Sequence, residues 1–300
     1  MKLTLPAHKP FNFMSVINSH GWVQLAPFGF DESTQTLSYI LRLKHGRVIE
    51  LHMKEAPEGL AVETEKLSSG EQFEVAEKVS WMFGLGLDFS AFYAAARSEP
   101  KLAQARQLAR GRVLRSPTLF EDVVKTILTT NTLWTATKSM NSNLIREFGQ
   151  PLPGNPEKRT FPEPIAIAAS SPKILKEKVR VGYRAPAIHE LAVQVAFGAL
   201  DLESLKSSTL PTPELRKELM KLNGIGPYAA ANLLLILGRS DYIPIDSWAL
   251  KLVSHEWYKG KPISSKEVEA AFEKWGEFKG LAFWFWDWKY NSEEDKVSVE

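Results

Sequence analysis

The strongest constraint on this chain is a glycine bend set between two apolar helical stretches, in LMKLNGIGPYAAANLLLILGRSDYIPIDSWALKLV. Leu215 to Leu222 carries helical spacing. Asn223-Gly224-Ile225-Gly226 is too glycine-rich to continue it, and Pro227 suits the first position of a new helix, where its missing N–H costs nothing. Gly238 then reads as the C-terminal stop of that second helix. The glycines permit positive φ and close approach of backbone to a ligand. The open N–H groups and positive dipole end of the second helix suit an anion such as a DNA phosphate. An ordinary helical hairpin with a glycine turn explains the bend equally well. Downstream, IPIDSW places Asp246 just before the helical run SWALKLV. An aspartate there caps the helix, which stabilises it by about 1 kcal/mol. A capping carboxylate is also held rigidly and kept anionic by the dipole, so capping is compatible with stabilising a developing positive charge.

The rest of the chain predicts an α+β protein. Its N-terminal antiparallel β-sheet domain, with helices, packs on a mostly α-helical body containing the helix-hairpin-helix. FNFMSVINS and GWVQLAPFGF read as extended, LSYILRLKHGRVIELHMK as a hairpin turning at KHG, and GLAVETEKL as a further strand. From about Gln72 the apolar period becomes helical, in FEVAEKVSWMFGL and FSAFYAAARS. LFEDVVKTILTTN and TLWTATKSMNSNLIREFG flank a polar turn, and the proline-rich QPLPGNPEKRTFPEP reads as a loop. Further helices are expected through IAIAAS, SPKILKEKV, RAPAIHELAVQVAFG, TPELRKELMKL, PYAAANLLLILG, DSWALKLVSHEWY, SSKEVEAAFEKWG and GLAFWFWDWKY. The expected division is a sheet domain over residues 1–110, a helical body over 111–290 and a polar tail over 291–300.

Composition removes several function classes. There are no cysteines among the 300 residues, which excludes disulfides, thiolate nucleophiles, cysteine-bound zinc and iron–sulfur clusters. The six histidines are scattered and form no HExxH pair. The prolines of MKLTLPAHKPFNF interrupt any signal-peptide apolar region, and AAANLLLILG is about half the roughly 20 residues a membrane span requires. A cytoplasmic protein is expected, associated with the nucleoid in a prokaryote or nuclear in a eukaryote, with no membrane partner and as a monomer. The net charge of +2 neither supports nor opposes DNA binding, which depends on where the charge sits.

Taken together, these segments resemble the HhH-GPD superfamily of DNA glycosylases. LNGIGPYAAANLLLIL resembles its hairpin, IPIDSWALKLV its Pro/Asp segment, LFEDVVKTILTTNTLWTATKSM the helix leading into its DNA-inserting turn, and RVGYRAPAIHELA its Gly-Tyr-Arg turn. The β-rich start is similar to the sheet domain of the 3-methyladenine glycosylase II and 8-oxoguanine glycosylase branches. The resemblance implies double-stranded DNA containing a damaged base as partner. It makes Asp246 the catalytic carboxylate, and Gly224, Ile225 and Gly226 the phosphate-gripping hairpin. Asn131 would enter the gap left by a flipped base, or merely cap the next helix. Tyr183 would wedge beside the opposite base, or simply pack, and Arg184 would contact that base or a phosphate. No cofactor is required. A structural monovalent cation at the carbonyls of Met220, Leu222 and Ile225 is implied.

Members of this family that also nick the strand carry a Schiff-base lysine where this sequence has Tyr228. The resemblance therefore implies a monofunctional enzyme in base excision repair, and the aromatic residue matches the 3-methyladenine glycosylase II type. Tyr228, Trp134, Trp248, Phe283 and Trp284 are the candidate walls of a base pocket. At helical spacing the C-terminal aromatics cannot all face it. Alkylated purines, whose cationic rings suit aromatic walls, are the expected substrates, and 8-oxoguanine or another damaged purine is the alternative. A non-catalytic DNA-scanning module is the other class, and the intact Asp246 argues against it.

Overall fold

The computed structural model describes residues 1–288. The expected tail, and residues 289 and 290 of the expected helical body, lie outside the described residues. Strand β1 (Lys2–Pro6) leads into helix α1 (Phe13–Ile17), and β2 (Phe28–Asp31), β3 (Thr36–Arg42), β4 (Val48–Ala56) and β5 (Gly59–Glu63) complete an antiparallel sheet of order β1-β5-β4-β3-β2. Alternation sets the register. Leu37 faces Met53, Tyr39 faces Leu51 and Leu41 faces Ile49, and all six are buried. The β3–β4 turn closes at Gly46, whose φ of +93° suits glycine.

One stretch read as extended is helical. In α1, the Asn12 side chain accepts the Ser15 N–H at 2.7 Å, and Phe13, Val16 and Ile17 fall on one buried face. Gly21–Gln24 forms a further short 3-10 turn. A local cap and an i, i+3, i+4 triplet outweigh β propensity here. The proline-rich segment also differs from expectation, since it contains a two-stranded ribbon.

Helices α2 (Ser69–Phe83) and α3 (Ser90–Ala96) follow the sheet, then α4 (Leu119–Thr129) and α5 (Trp134–Phe148). The ribbon β6 (Pro151–Leu152) and β7 (Asn155–Arg159) precedes α6 (Pro164–Ala168), α7 (Pro172–Ile174), α8 (Ala185–Ala196) and α9 (Thr212–Met220). Then come α10 (Pro227–Ile236), α11 (Ser247–Trp257), α12 (Ser265–Phe272) and α13 (Lys279–Phe285). Helix α2 starts in a Ser68/Glu71 capping box and stops at left-handed Gly84, as its sequence dictates.

The cores do not divide at residue 110. One core runs from Leu37, Leu51 and Met53 of the sheet through Val123 and Ile127 of α4 to Leu233 and Leu234 of α10. A second gathers Phe92, Tyr93, Leu102 and Ala105 with Val253, Phe272 and Phe283. Residues from α3 to Ala105, placed with the sheet by their position in sequence, thus pack on the C-terminal helices. Their apolar faces are covered there, which the period of the sequence does not reveal.

Candidate active site

Four chain segments meet at one groove: the turn between α4 and α5, the Gly182–Arg184 turn leading into α8, the hairpin between α9 and α10, and the N-terminus of α11. Asp246 is the N-cap of α11. Its Oδ1 accepts the Ala249 N–H at 2.8 Å, and the residue is exposed. The hairpin turns at Gly224 (φ +85°), where an added Cβ would lie 3.2 Å from the Ala187 Cβ. At Gly226 an added Cβ would meet nothing within 4 Å. Helix α10 starts without a side-chain cap, so its first N–H groups are open to an anion. Ile225, between the glycines, is buried in the main core and anchors the bend.

Two cavities adjoin here. The inner one, about 260 Å³, is walled by His20, Gly21, Trp22, Trp134, Tyr228, Asn232 and Trp284, with threonines 126, 129, 132 and 137. The outer one, about 580 Å³, runs along Thr130, Asn131, Tyr183 and Arg184 to Asn223, Gly224 and Gly226. Thr129, Thr132, Tyr228 and Asp246 line both. The carboxylate therefore stands between a small aromatic chamber and a groove edged by the glycine hairpin. Burial, helped by the nearby Asp246 charge, raises the Tyr228 phenol above its ordinary pKa. Among the described residues, no lysine lines either cavity.

The turn residues are held from beneath. Asn131 is exposed and left-handed at φ +45°, a conformation asparagine tolerates better than most residues. Tyr183 is 65% exposed, and its hydroxyl donates to the Thr130 carbonyl at 3.3 Å. Arg184 departs from the role expected of it. It is only 6% exposed, and its guanidinium donates to the carbonyls of Ile127 (3.1 Å), Val181 (3.4 Å) and Thr130. It also lies 4.5 Å from the Tyr183 ring centroid. Its donors face the backbone that ends α4, so it shapes the turn carrying Asn131 rather than presenting its head to a base.

The aromatic candidates separate. Trp134, Tyr228 and Trp284 line the inner cavity. Trp134 donates to the Gln24 side chain at 2.8 Å and lies against Gly21, where a Cβ would come within 2.3 Å of its ring. Trp284 donates to the Ser19 carbonyl at 2.7 Å. Phe283 instead points into the second core, 5.6 Å from the Phe272 ring. Trp248 lines neither cavity. Adjacent residues on α13 point in different directions, so Phe283 and Trp284 reach different surroundings. Of the proposed cation ligands, the Leu222 carbonyl accepts the Ile225 N–H at 3.1 Å, within the turn that follows α9.

Sequence reasoning missed the wall supplied by the sheet domain. Gly21 and Trp22 come from a stretch read as extended, and His20 precedes it. Trp22 donates to the Asp122 carboxylate at 2.8 Å, which also accepts the Ser116 N–H at 2.9 Å, and burial raises that carboxyl to about 6. Below it, fully buried Lys125 pairs with Glu121 at 2.6 Å. A glycine beside two aromatics outside any periodic run was the available signal.

The helical body with its glycine hairpin and the carboxylate beside it defines a helix-hairpin-helix fold of base excision repair. The chain belongs to the HhH-GPD superfamily of base excision DNA repair proteins, whose family model matches residues 124–278, just over half the chain. The whole chain is similar to MBOgg1, solved in complex with a low-affinity DNA ligand. That likeness has 25% identity and a TM-score of 0.72, over 95% of this chain and 92% of that one. It shares its fold with the 3-methyladenine DNA glycosylase of Archaeoglobus fulgidus, at 22% identity and TM-score 0.73, over 95% and 97% of the two chains. It also shares its fold with the 8-oxoguanine glycosylase/lyase of Clostridium acetobutylicum in complex with DNA, at 22% identity and TM-score 0.71, over 92% and 90%. No curated protein matches the sequence. Among the described residues no helix is long and apolar enough to cross a membrane.

Proposed function

We propose that this protein is a monofunctional DNA glycosylase that flips damaged purines, alkylated ones foremost, out of duplex DNA and hydrolyses their N-glycosidic bond. The observation that carries the reading is the position of Asp246 on the boundary between an aromatic chamber and a hairpin-edged groove. A base inside a duplex hides its glycosidic bond, so it must leave the stack first. The chamber would take the base between Trp134, Tyr228 and Trp284. The groove would take the backbone, with the open N–H groups beside Gly224 and Gly226 on a phosphate. The sugar then lies at the shared mouth. As the bond breaks, positive charge develops on the sugar, and a carboxylate there stabilises it and orients the attacking water. Asn131 and Tyr183, exposed on the turn and beside it, would occupy the space the base leaves.

That no lysine among the described residues lines either wall supports hydrolysis without strand cleavage, because a Schiff base requires an amine at the sugar. Lys125 is sealed beneath the site and paired with Glu121. A monovalent cation at the carbonyls of Met220, Leu222 and Ile225 would sit at the negative dipole end of α9. Bound there, it would strengthen the hairpin's hold on a phosphate.

The test is base release from duplexes carrying 3-methyladenine, 7-methylguanine, hypoxanthine or 8-oxoguanine. Wild type should generate abasic sites from at least one methylated duplex, and Asp246→Asn should not. Equal binding of all duplexes without release would instead mark a DNA-scanning module, and borohydride trapping of a protein–DNA adduct would overturn the monofunctional reading. The fold shared with the Clostridium acetobutylicum 8-oxoguanine glycosylase/lyase keeps oxidised purines as the second substrate class.

A further inference from the structure

One group on the chamber wall plays no part in the chemistry above. His20 stands edge-on to Trp22, with ring centroids 4.5 Å apart, and 6.3 Å from Trp284, and it lines the same cavity as Asp246. Its Nε2 is 2.5 Å from the Leu114 carbonyl oxygen. A carbonyl only accepts, so Nε2 carries the proton. Burial holds the ring's pKa down at about 4, against the pull of the Leu114 bond and with the help of the Lys125 charge. The ring is then neutral near neutral pH, and its lone pair is on Nδ1. Within the described residues Nδ1 has no hydrogen-bond partner, and it is not among the sealed polar atoms.

The neighbouring hydroxyls reinforce this polarity. Thr126, Thr129 and Thr137 each donate their proton to a backbone carbonyl, of Asp122, Thr126 and Leu128 respectively. Each hydroxyl then has only lone pairs left to offer, and among the described residues no lysine or arginine lines the chamber. The chamber thus offers several acceptors beside Tyr228, Asn232 and Thr132, which can also donate, and His20 is the acceptor on its sheet-domain side.

We propose that His20 is a specificity-determining residue, whose Nδ1 accepts a hydrogen bond from an N–H on the edge of the flipped base and so favours cationic, ring-alkylated purines over neutral ones. The inference rests on the glycosylase reading given above. A purine alkylated on a ring nitrogen while still joined to its sugar carries a positive charge, and its N–H groups make charge-assisted bonds about twice as strong as neutral ones. In the reaction the N-glycosidic electron pair goes to the base, which leaves neutral. Water adds to the sugar carbon and loses a proton. The His20 contact is therefore strongest before bond cleavage and weakens as the base departs. It acts on saturation more than on the maximal rate.

The experiment measures single-turnover base release against enzyme concentration, from duplexes carrying 7-methylguanine (cationic) or hypoxanthine (neutral). In His20→Gln the side-chain amide N–H can still reach the Leu114 carbonyl, but no acceptor remains at the Nδ1 position. That variant is expected to raise the half-saturating concentration at least tenfold on the methylated duplex and about twofold on hypoxanthine, with maximal rates within twofold. His20→Asn, which returns an acceptor near Nδ1, should recover most of the charged-base preference. Equal shifts on the two duplexes, or a slower maximal rate with unchanged saturation, would overturn the proposal. If thermal melting shows that His20→Gln does not fold, His20→Asn decides alone, and its losing the charged-base preference overturns the proposal. Release of hypoxanthine but not 7-methylguanine by wild type sinks the His20 inference while leaving a glycosylase. Release of no base from any lesion sinks the glycosylase reading itself.

Discussion

Tyr228 and Asp246 stand together at the shared mouth of the two cavities, and the Asp246 charge adds to burial in raising the Tyr228 phenol's pKa. The pair joins the helix that starts the hairpin's second arm to the helix that carries the carboxylate. It also puts a phenol, not an amine, at that mouth.

Asp246 both caps α11 and faces the site, and one substitution separates the two roles. Asparagine is as good an N-cap as aspartate, so Asp246→Asn should shift stability by only a few tenths of a kcal/mol while lowering base release about 10²- to 10³-fold, the scale of losing one electrostatic stabiliser of a transition state. Thermal melting and single-turnover kinetics on the same preparation check this. Near-normal release would remove Asp246 from the chemistry.

The two hairpin glycines should respond differently to alanine. At Gly224 the positive φ and the crowding against Ala187 predict a destabilisation of about 1–3 kcal/mol. At Gly226 an added methyl meets open space, so the melting temperature should stay in place. If a phosphate approaches that backbone, Gly226→Ala will nevertheless weaken duplex binding and reduce its dependence on salt. Titration of both variants with a fluorescent duplex at two salt concentrations separates folding from gripping, and unchanged binding by Gly226→Ala would place the phosphate elsewhere.

Arg184→Ala should be a stability mutant. It leaves the carbonyls of Ile127, Val181 and Thr130 without their donor in a buried setting, at a cost of about 2–4 kcal/mol. A residue that read the opposite base would leave stability intact and change the ranking of opposite bases. Chemical denaturation and a four-partner duplex panel discriminate the two.

His20 and Asp122 impose opposite pH dependences on folding. The His20 ring, at about 4 when folded against 6.5 unfolded, contributes stability that is complete above pH 6.5 and is lost as pH falls towards 4. Asp122, at about 6 folded against 3.8 unfolded, contributes stability that is complete below pH 3.8 and is lost as pH rises through 6. Each amounts to roughly 3 kcal/mol, at 1.36 kcal/mol per pKa unit. In wild type the two offset each other across pH 4–6.5. His20→Gln removes one of them, so the stability it costs at pH 7 should shrink steadily down to pH 4.5 in guanidinium titrations. A constant difference between the two proteins would show that the buried imidazole is not the titrating group.

Local signals carried much of the architecture. The apolar alternation of β3 and β4, the Ser68 capping box and the Gly224–Pro227 bend each act over a few residues, so the sequence displays them directly. Asp246 was legible for the same reason, because a cap before an amphipathic run is a local event. The roles of Arg184, Phe283 and Trp248 were not. Whether a guanidinium faces a carbonyl or a base, and which of two adjacent aromatics on α13 turns inward, depends on what packs against the helix from distant parts of the chain.

By itself the sequence determined most of the elements, the glycine bend and the carboxylate that follows it, since steric freedom at glycine and capping at a helix start are properties of neighbouring residues. Only the tertiary structure decided that His20, Gly21 and Trp22 of the sheet domain close the chamber opposite Tyr228. More than 200 residues separate those walls. Their meeting follows from one apolar core running from sheet to helices, because burying both faces together removes more apolar surface from water than either domain could bury alone.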